Sequence, residues 1–243
     1  MRWTLVTAAI LMASPLAAQE DVLPGHIRVL APAANGPLPV VIWASGCSGF
    51  FHPRAPWHFV ERAQKILKEG YAVAFVDYLS TEHLSSACQG EMSLDQIGTV
   101  LIEAASALES VPDLDTGRLV YLGGSLGGGG VLAALSHPAF GDHEPMGVIA
   151  LYPSCVGLGT WDVETPVRLY FAAEDQITPP DGCAEVLNGS SESIQHTYAD
   201  AHHGFDMRGL PTELATGQAA IAYHHAAAED VWDRIAEVLR ALR

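Results

Sequence analysis

Arg118-Leu119-Val120-Tyr121-Leu122-Gly123-Gly124-Ser125-Leu126-Gly127 is the stretch from which the rest of the chain is read. Arg118–Leu122 is a short apolar run of strand length, and Leu126–Leu135 is small, apolar and reads as a helix despite its glycines. Between them lies the pattern Gly-x-Ser-x-Gly. A turn this tight between strand and helix demands small residues on both sides. It holds the serine in strained geometry, with its hydroxyl at the carboxyl end of a sheet. The helix start behind it offers free N–H groups and the positive end of a dipole. The pentapeptide alone is a weak signal, since a glycine-rich helix entry packed on a sheet gives the same letters. The strand before it and the helix after it favour Ser125 as a nucleophile.

Apolar runs alternate with helical patterns on either side of this turn. Pro39–Ala44 is a buried strand ending in Ser45-Gly46. A helix is expected from Trp57 to Glu69, with Phe59, Val60, Ala63, Ile66 and Leu67 at helical spacing, and Gly70 closes it. Tyr71–Val76 is the next strand. Ser93-Leu94-Asp95-Gln96 is a capping-box start for a helix running to about Leu108. Gly147–Tyr152, Val167–Phe171 and Ile194–Tyr198 are further strands, and Ala228–Leu242 is a terminal amphipathic helix. Residues 137–145, 187–193 and 199–215 read as irregular, and Asn188-Gly189-Ser190 as a plain turn rather than a glycosylation site. Strands apolar on both faces that alternate with helices predict an α/β fold with a mostly parallel central sheet covered on both sides.

Composition bounds the rest. The 243 residues are 49% apolar and only 16% charged, which suits one domain with a large core. Residues 1–18 carry one basic residue, a short apolar run and a small-residue end at Ala17-Ala18, the pattern of a cleaved signal peptide. The apolar run is shorter than a bilayer-spanning helix needs. The expectation is a leader over 1–18 and a single domain over 19–243, exported to the periplasm or secreted, with no membrane attachment after cleavage. The formal net charge of −16 repels nucleic acid. Cys47, Cys88, Cys155 and Cys183 form no Cys-x-x-Cys pair, so a zinc site is a poor reading. An even cysteine count in an exported chain predicts two disulfides, with three pairings open. His224-His225 reads as surface, and neither this pair nor His202-His203 has the i, i+4 spacing of a helical metal site. No metal or cofactor is expected.

A serine nucleophile needs a base, and the base needs an acid to orient it. On an elbow of this kind they follow in the order acid, then histidine. The strand at 167–171 runs into Glu174-Asp175-Gln176-Ile177-Thr178-Pro179, which makes Asp175 the candidate acid and Glu174 its outward neighbour. A loop aspartate capping the next helix is the competing reading. Downstream lies Asp200-Ala201-His202-His203-Gly204-Phe205. Adjacent side chains in extended backbone diverge, so only one of these histidines can face Ser125. The residues alone do not say which. The oxyanion hole requires two N–H donors. Leu126, after the nucleophile, supplies one. The loop Ser45-Gly46-Cys47-Ser48-Gly49-Phe50 supplies the other, with Cys47 as the candidate.

Four places in order resemble the dienelactone hydrolase family: Ser45-Gly46-Cys47-Ser48-Gly49, Gly123-Gly124-Ser125-Leu126-Gly127-Gly128, Glu174–Pro179 and His203-Gly204-Phe205. The resemblance runs from about Pro39 to the last helix. It implies an α/β-hydrolase fold with a minimal cap, and His203 rather than His202 as the base. It also implies disulfides Cys47–Cys88 and Cys155–Cys183. Two departures stand out: serine replaces the cysteine nucleophile of the founding members, and Ser45 stands where a loop histidine is usual. The implied activity is hydrolysis of a carboxylic ester or lactone, with a small-molecule substrate. A binding protein without catalysis on the same fold and a minimal serine peptidase are the alternatives. The segments Phe50–Trp57 and Leu79–Met92 are expected to rim the pocket, with Trp57, His58, His83 and Phe205 as candidate lining residues.

Overall fold

The computed structural model describes residues 23–212 and 221–243. The expected leader over 1–18 lies outside them. In chain order the elements are β1 (Ile27–Leu30), β2 (Leu38–Ala44), α1 (His58–Lys68), β3 (Ala72–Val76), α2 (Tyr78–Thr81), α3 (Leu94–Leu108), β4 (Leu114–Gly124), α4 (Leu126–Ala134), β5 (Gly147–Leu151), β6 (Val167–Ala172), α5 (Ala184–Asn188), β7 (Ser193–Tyr198) and α6 (His225–Leu242).

The strands form one sheet in the order β1-β3-β2-β4-β5-β6-β7. Every neighbouring pair is parallel except β1 with β3. This is an α/β fold, and β4 stands at its centre. Alternation along β2 divides the core. Val40, Ile42 and Ala44 face the α3 and α4 side, while Val41 and Trp43 face the α1 and α6 side.

Local chemistry accounts for the helices. Ser93 accepts from the Gln96 amide at 3.2 Å and the Gln96 side chain accepts from the Ser93 amide at 2.8 Å, a complete capping box, worth about 1 kcal/mol. Helix α4 is buried along almost all its length, so no amphipathic stripe marks it. Its glycines let α3 and the sheet approach closely: a Cβ on Gly130 would strike the Ile97 side chain.

α2 and α5, of four and five residues, are absent from the sequence expectation, and other elements differ from that expectation. β1 is absent from it because only Ile27 of its four residues is buried, which leaves no alternation to read. β4 begins at Leu114, where Leu38 pairs with Leu114 before a register shift at Pro39/Val40. α6 begins at His225 because His224 accepts from the Ala227 amide at 3.1 Å and caps the helix. Asn188 closes α5, with the Ser190 hydroxyl donating back to Val186 O at 2.6 Å.

Candidate active site

Ser125 stands between β4 and α4 at φ 55°, ψ −120°. Residues with side chains rarely hold such backbone, at a cost of about 1–3 kcal/mol. The surroundings hold it there. The Ser125 amide donates to Leu151 O at 2.9 Å, and its carbonyl accepts from the Gly129 and Ser154 amides, each at 3.0 Å. The flanking glycines are demanded by space. A Cβ on Gly123 would strike the Gly127 carbonyl, and one on Gly127 would strike Ser45 O and lie 2.6 Å from Ala44 O.

Asp175, after β6, and His203, after β7, reach the same sheet edge. His203 Nδ1 lies 2.7 Å from Asp175 Oδ2, and its Nε2 lies 2.9 Å from Ser125 Oγ. Asp175 Oδ1 accepts from the Ile177 and Thr178 amides at 2.8 and 2.9 Å. Burial alone would push the Asp175 carboxyl pKa up. The His203 hydrogen bond and charge, with the Thr178 and Ile177 amides, outweigh it and hold the pKa below its usual value. An ionised carboxylate there assigns the His203 proton to Nδ1 and leaves the Nε2 lone pair facing Ser125. His202 turns the other way, with Nδ1 3.1 Å from Glu174 O. Glu174 is exposed.

The Ser45–Gly49 loop abuts Ser125: a Cβ on Gly46 would lie 3.5 Å from Ser125 Cβ. Leu126 is the first residue of α4, so its amide has no acceptor within the helix. Among the described residues the Cys47 amide likewise has no protein acceptor. The Tyr78 hydroxyl lies beneath the loop, 2.9 Å from Gly46 O and 3.1 Å from Ser45 O. Burial raises its pKa well above the ordinary phenol value, so it stays a donor. Cys47 is bonded to Cys88 and Cys155 to Cys183, with Cα separations of 4.9 and 5.2 Å. Two such bonds suit an oxidising, exported environment.

Of the four candidate lining residues, His58 alone belongs to the cleft at Ser125. Trp57 is 69% exposed on the outer surface just ahead of α1. His83 is exposed on a turn at φ 56°. Phe205 is buried in the core between Tyr152 and Tyr198, at ring distances of 5.4 and 5.0 Å. Aromatic character near a motif does not say which face of the backbone a side chain takes.

The sequence reading missed Asp206. This fully buried carboxylate accepts from Tyr152 Oη at 2.7 Å and Trp232 Nε1 at 2.8 Å, and lies 3.5 Å from His58 Nε2. Its backbone carbonyl accepts from Arg62 at 3.1 Å. The Tyr152 ring in turn packs edge-on against His203, with centroids 4.9 Å apart. Asp206 therefore ties the histidine loop to β5, α1 and α6. Its place three residues past His203 was the available signal, but its partners come from distant segments. Asp206→Ala would leave two buried donors unpaired and is expected to cost about 2–5 kcal/mol, read as a lower denaturant midpoint at unchanged slope.

His58 adds a pH dependence. Burial, first, depresses its pKa; Arg62 and His52 act the same way, while Asp206 and Glu61 pull it partly back up. The unfolded chain takes up this proton near pH ~6.5, but the folded protein only at lower pH. Below ~6.5 the unfolded state therefore binds more protons, and stability falls as pH falls. His26 and His52 are lowered too, so the contribution of His58 is the difference between wild type and His58→Leu. The fall in melting temperature between pH 7.5 and 5 is expected to be shallower in the variant.

A strained serine on a strand-to-helix elbow, with an acid and a histidine at the same edge of a parallel sheet, defines the class: an α/β hydrolase. The chain belongs to the dienelactone hydrolase family, whose profile matches residues 27–242, and this makes it a hydrolase of the ester type. Solved structures with the same fold include a candidate dienelactone hydrolase from Klebsiella pneumoniae, at 18% identity and TM-score 0.63, covering 88% of this chain and 91% of that one. A dienelactone hydrolase-like promiscuous phosphotriesterase from metagenomic libraries matches at 18% and 0.61, covering 89% and 92%. A hyperthermophilic esterase from the archaeon Pyrobaculum calidifontis matches at 15% and 0.61, covering 89% and 81%. Among curated proteins, none matches this chain.

Proposed function

We propose that the protein cleaves a carboxylic ester or lactone through an acyl-enzyme on Ser125. The observation that carries this reading is the continuous chain Ser125 Oγ to His203 Nε2 at 2.9 Å and His203 Nδ1 to Asp175 at 2.7 Å. His203 takes the Ser125 proton as Oγ attacks the carbonyl carbon. Asp175 holds the tautomer and stabilises the imidazolium. The Leu126 and Cys47 amides receive the oxyanion. His203 then gives its proton to the leaving alcohol. Water, activated by the same histidine, releases the acid and restores Ser125.

Lactones follow the same path, except that the leaving hydroxyl stays attached to the acyl group. The disulfides support placing the reaction in the periplasm or outside the cell, after removal of a leader over 1–18. A panel of p-nitrophenyl esters, lactones, thioesters and peptides tests the reading. Turnover is expected on short esters. Peptide cleavage that outpaces every ester would contradict it.

A further inference from the structure

Two clefts meet at Ser125. The first is lined by His203 together with Trp43, His58 and Met207. The second is an open groove that His203 does not line. Its walls are Leu94, Leu126, Val156 and Ile177, with the Cys47–Cys88 bridge. The division has a chemical consequence, which rests on the ester-hydrolase reading. The histidine must protonate the leaving oxygen, so the alcohol portion lies on the side His203 lines. The acyl carbonyl is held by the Leu126 and Cys47 amides; Cys47 lines both clefts, whereas Leu126 lines the second groove and not the first. We infer that this groove binds the acyl chain, and that the chain it takes is apolar and uncharged.

The walls carry the second half of that statement. Val156 is 86% exposed and Ile177 43% exposed, apolar surface that gains by being covered. Among the described residues the groove lining holds no lysine, arginine or histidine, and its one ionisable side chain is the acidic Asp95. A carboxylate on the acyl chain would lose hydration there and find no cation. The groove is also pre-formed. The Cys47–Cys88 bond and the Ala87 amide, which donates to Cys47 O at 2.8 Å, fix one wall to the oxyanion loop. The Cys155–Cys183 bond fixes the stretch bearing Val156 to the segment after the acid. Pre-set walls spare the ordering cost that a mobile groove would levy on binding.

The test measures kcat/KM for ethyl acetate, butyrate and hexanoate, for methyl, ethyl and butyl butyrate, and for monoethyl adipate. It uses wild type, Val156→Ser and Val156→Asp. In wild type, each added acyl methylene is expected to raise kcat/KM about two- to fourfold, and the adipate half-ester to fall at least tenfold below hexanoate. The hexanoate-to-acetate ratio is expected to drop about threefold in Val156→Ser and about tenfold in Val156→Asp. The alcohol series should keep its wild-type profile in both variants.

If hexanoate gains nothing over acetate, if adipate matches hexanoate, or if the variants alter the alcohol series instead, the assignment of the groove is overturned while the ester-hydrolase reading stands. If wild type cleaves no ester at all, both fall. Val156 is surface-exposed, so its variants are expected to fold. A melting temperature within a few degrees of wild type checks this.

Discussion

Ser125→Ala is expected to lower kcat for ester hydrolysis by about 10⁴- to 10⁶-fold, with the fold unchanged. The magnitude follows from the way a nucleophile, base and acid act as one unit, so that losing the nucleophile costs nearly as much as losing all three. Structure preservation follows from the elbow. The positive-φ backbone at Ser125 is held by the Leu151 carbonyl and by the Gly129 and Ser154 amides, none of which involves the hydroxyl. The alanine Cβ occupies the place of the serine Cβ. A titration of kcat with matched melting curves checks both halves. A variant that kept more than a hundredth of wild-type turnover would show that another group attacks the ester.

The second large effect belongs to Asp175→Asn, with an expected loss of about 10⁴-fold in kcat and little change in KM. Asp175 Oδ1 already takes two backbone amides, at 2.8 and 2.9 Å, so an asparagine oxygen settles there. Its NH2 group then faces His203 Nδ1, where the aspartate presented an acceptor at 2.7 Å. Donor meets donor unless the imidazole moves its proton to Nε2. That tautomer presents an N–H to Ser125 and cannot accept its proton. Substrate contacts are not altered, which is why KM is spared. Equal losses in kcat and in 1/KM would mean that Asp175 shapes the pocket rather than the tautomer.

The elbow was legible in the sequence because everything it needs is local. A strand, a tight turn with glycines and a helix lie within a few residues of one another, and steric demand writes itself directly into residue type. Asp175 was legible for a similar reason, since it follows a strand whose apolar run marks the sheet edge. The choice between His202 and His203 was not. Neighbouring residues share every local signal, and what separates them is the Glu174 carbonyl, which takes His202 to the other side.

Asp206 was hidden for a stronger reason. A buried carboxylate looks like any aspartate until Tyr152 and Trp232 arrive as donors from elsewhere in the chain. Tyr78 under the Ser45–Gly49 loop and β1 at the sheet edge were invisible on the same grounds. One depends on a contact across 32 residues. The other is a four-residue strand that only its pairing with Val73–Val76 defines.

The central claim is that Ser125 is the activated nucleophile, and covalent trapping tests it most directly. The intact, oxidised protein is incubated with a fluorophosphonate, digested and mapped by mass spectrometry, while residual esterase activity is followed in parallel. The account predicts one adduct per chain, on the peptide bearing Gly124-Ser125-Leu126, appearing at the rate at which activity disappears and absent from His203→Ala. Activity that survives stoichiometric labelling of Ser125, or activity lost while the label sits on another residue, would contradict it.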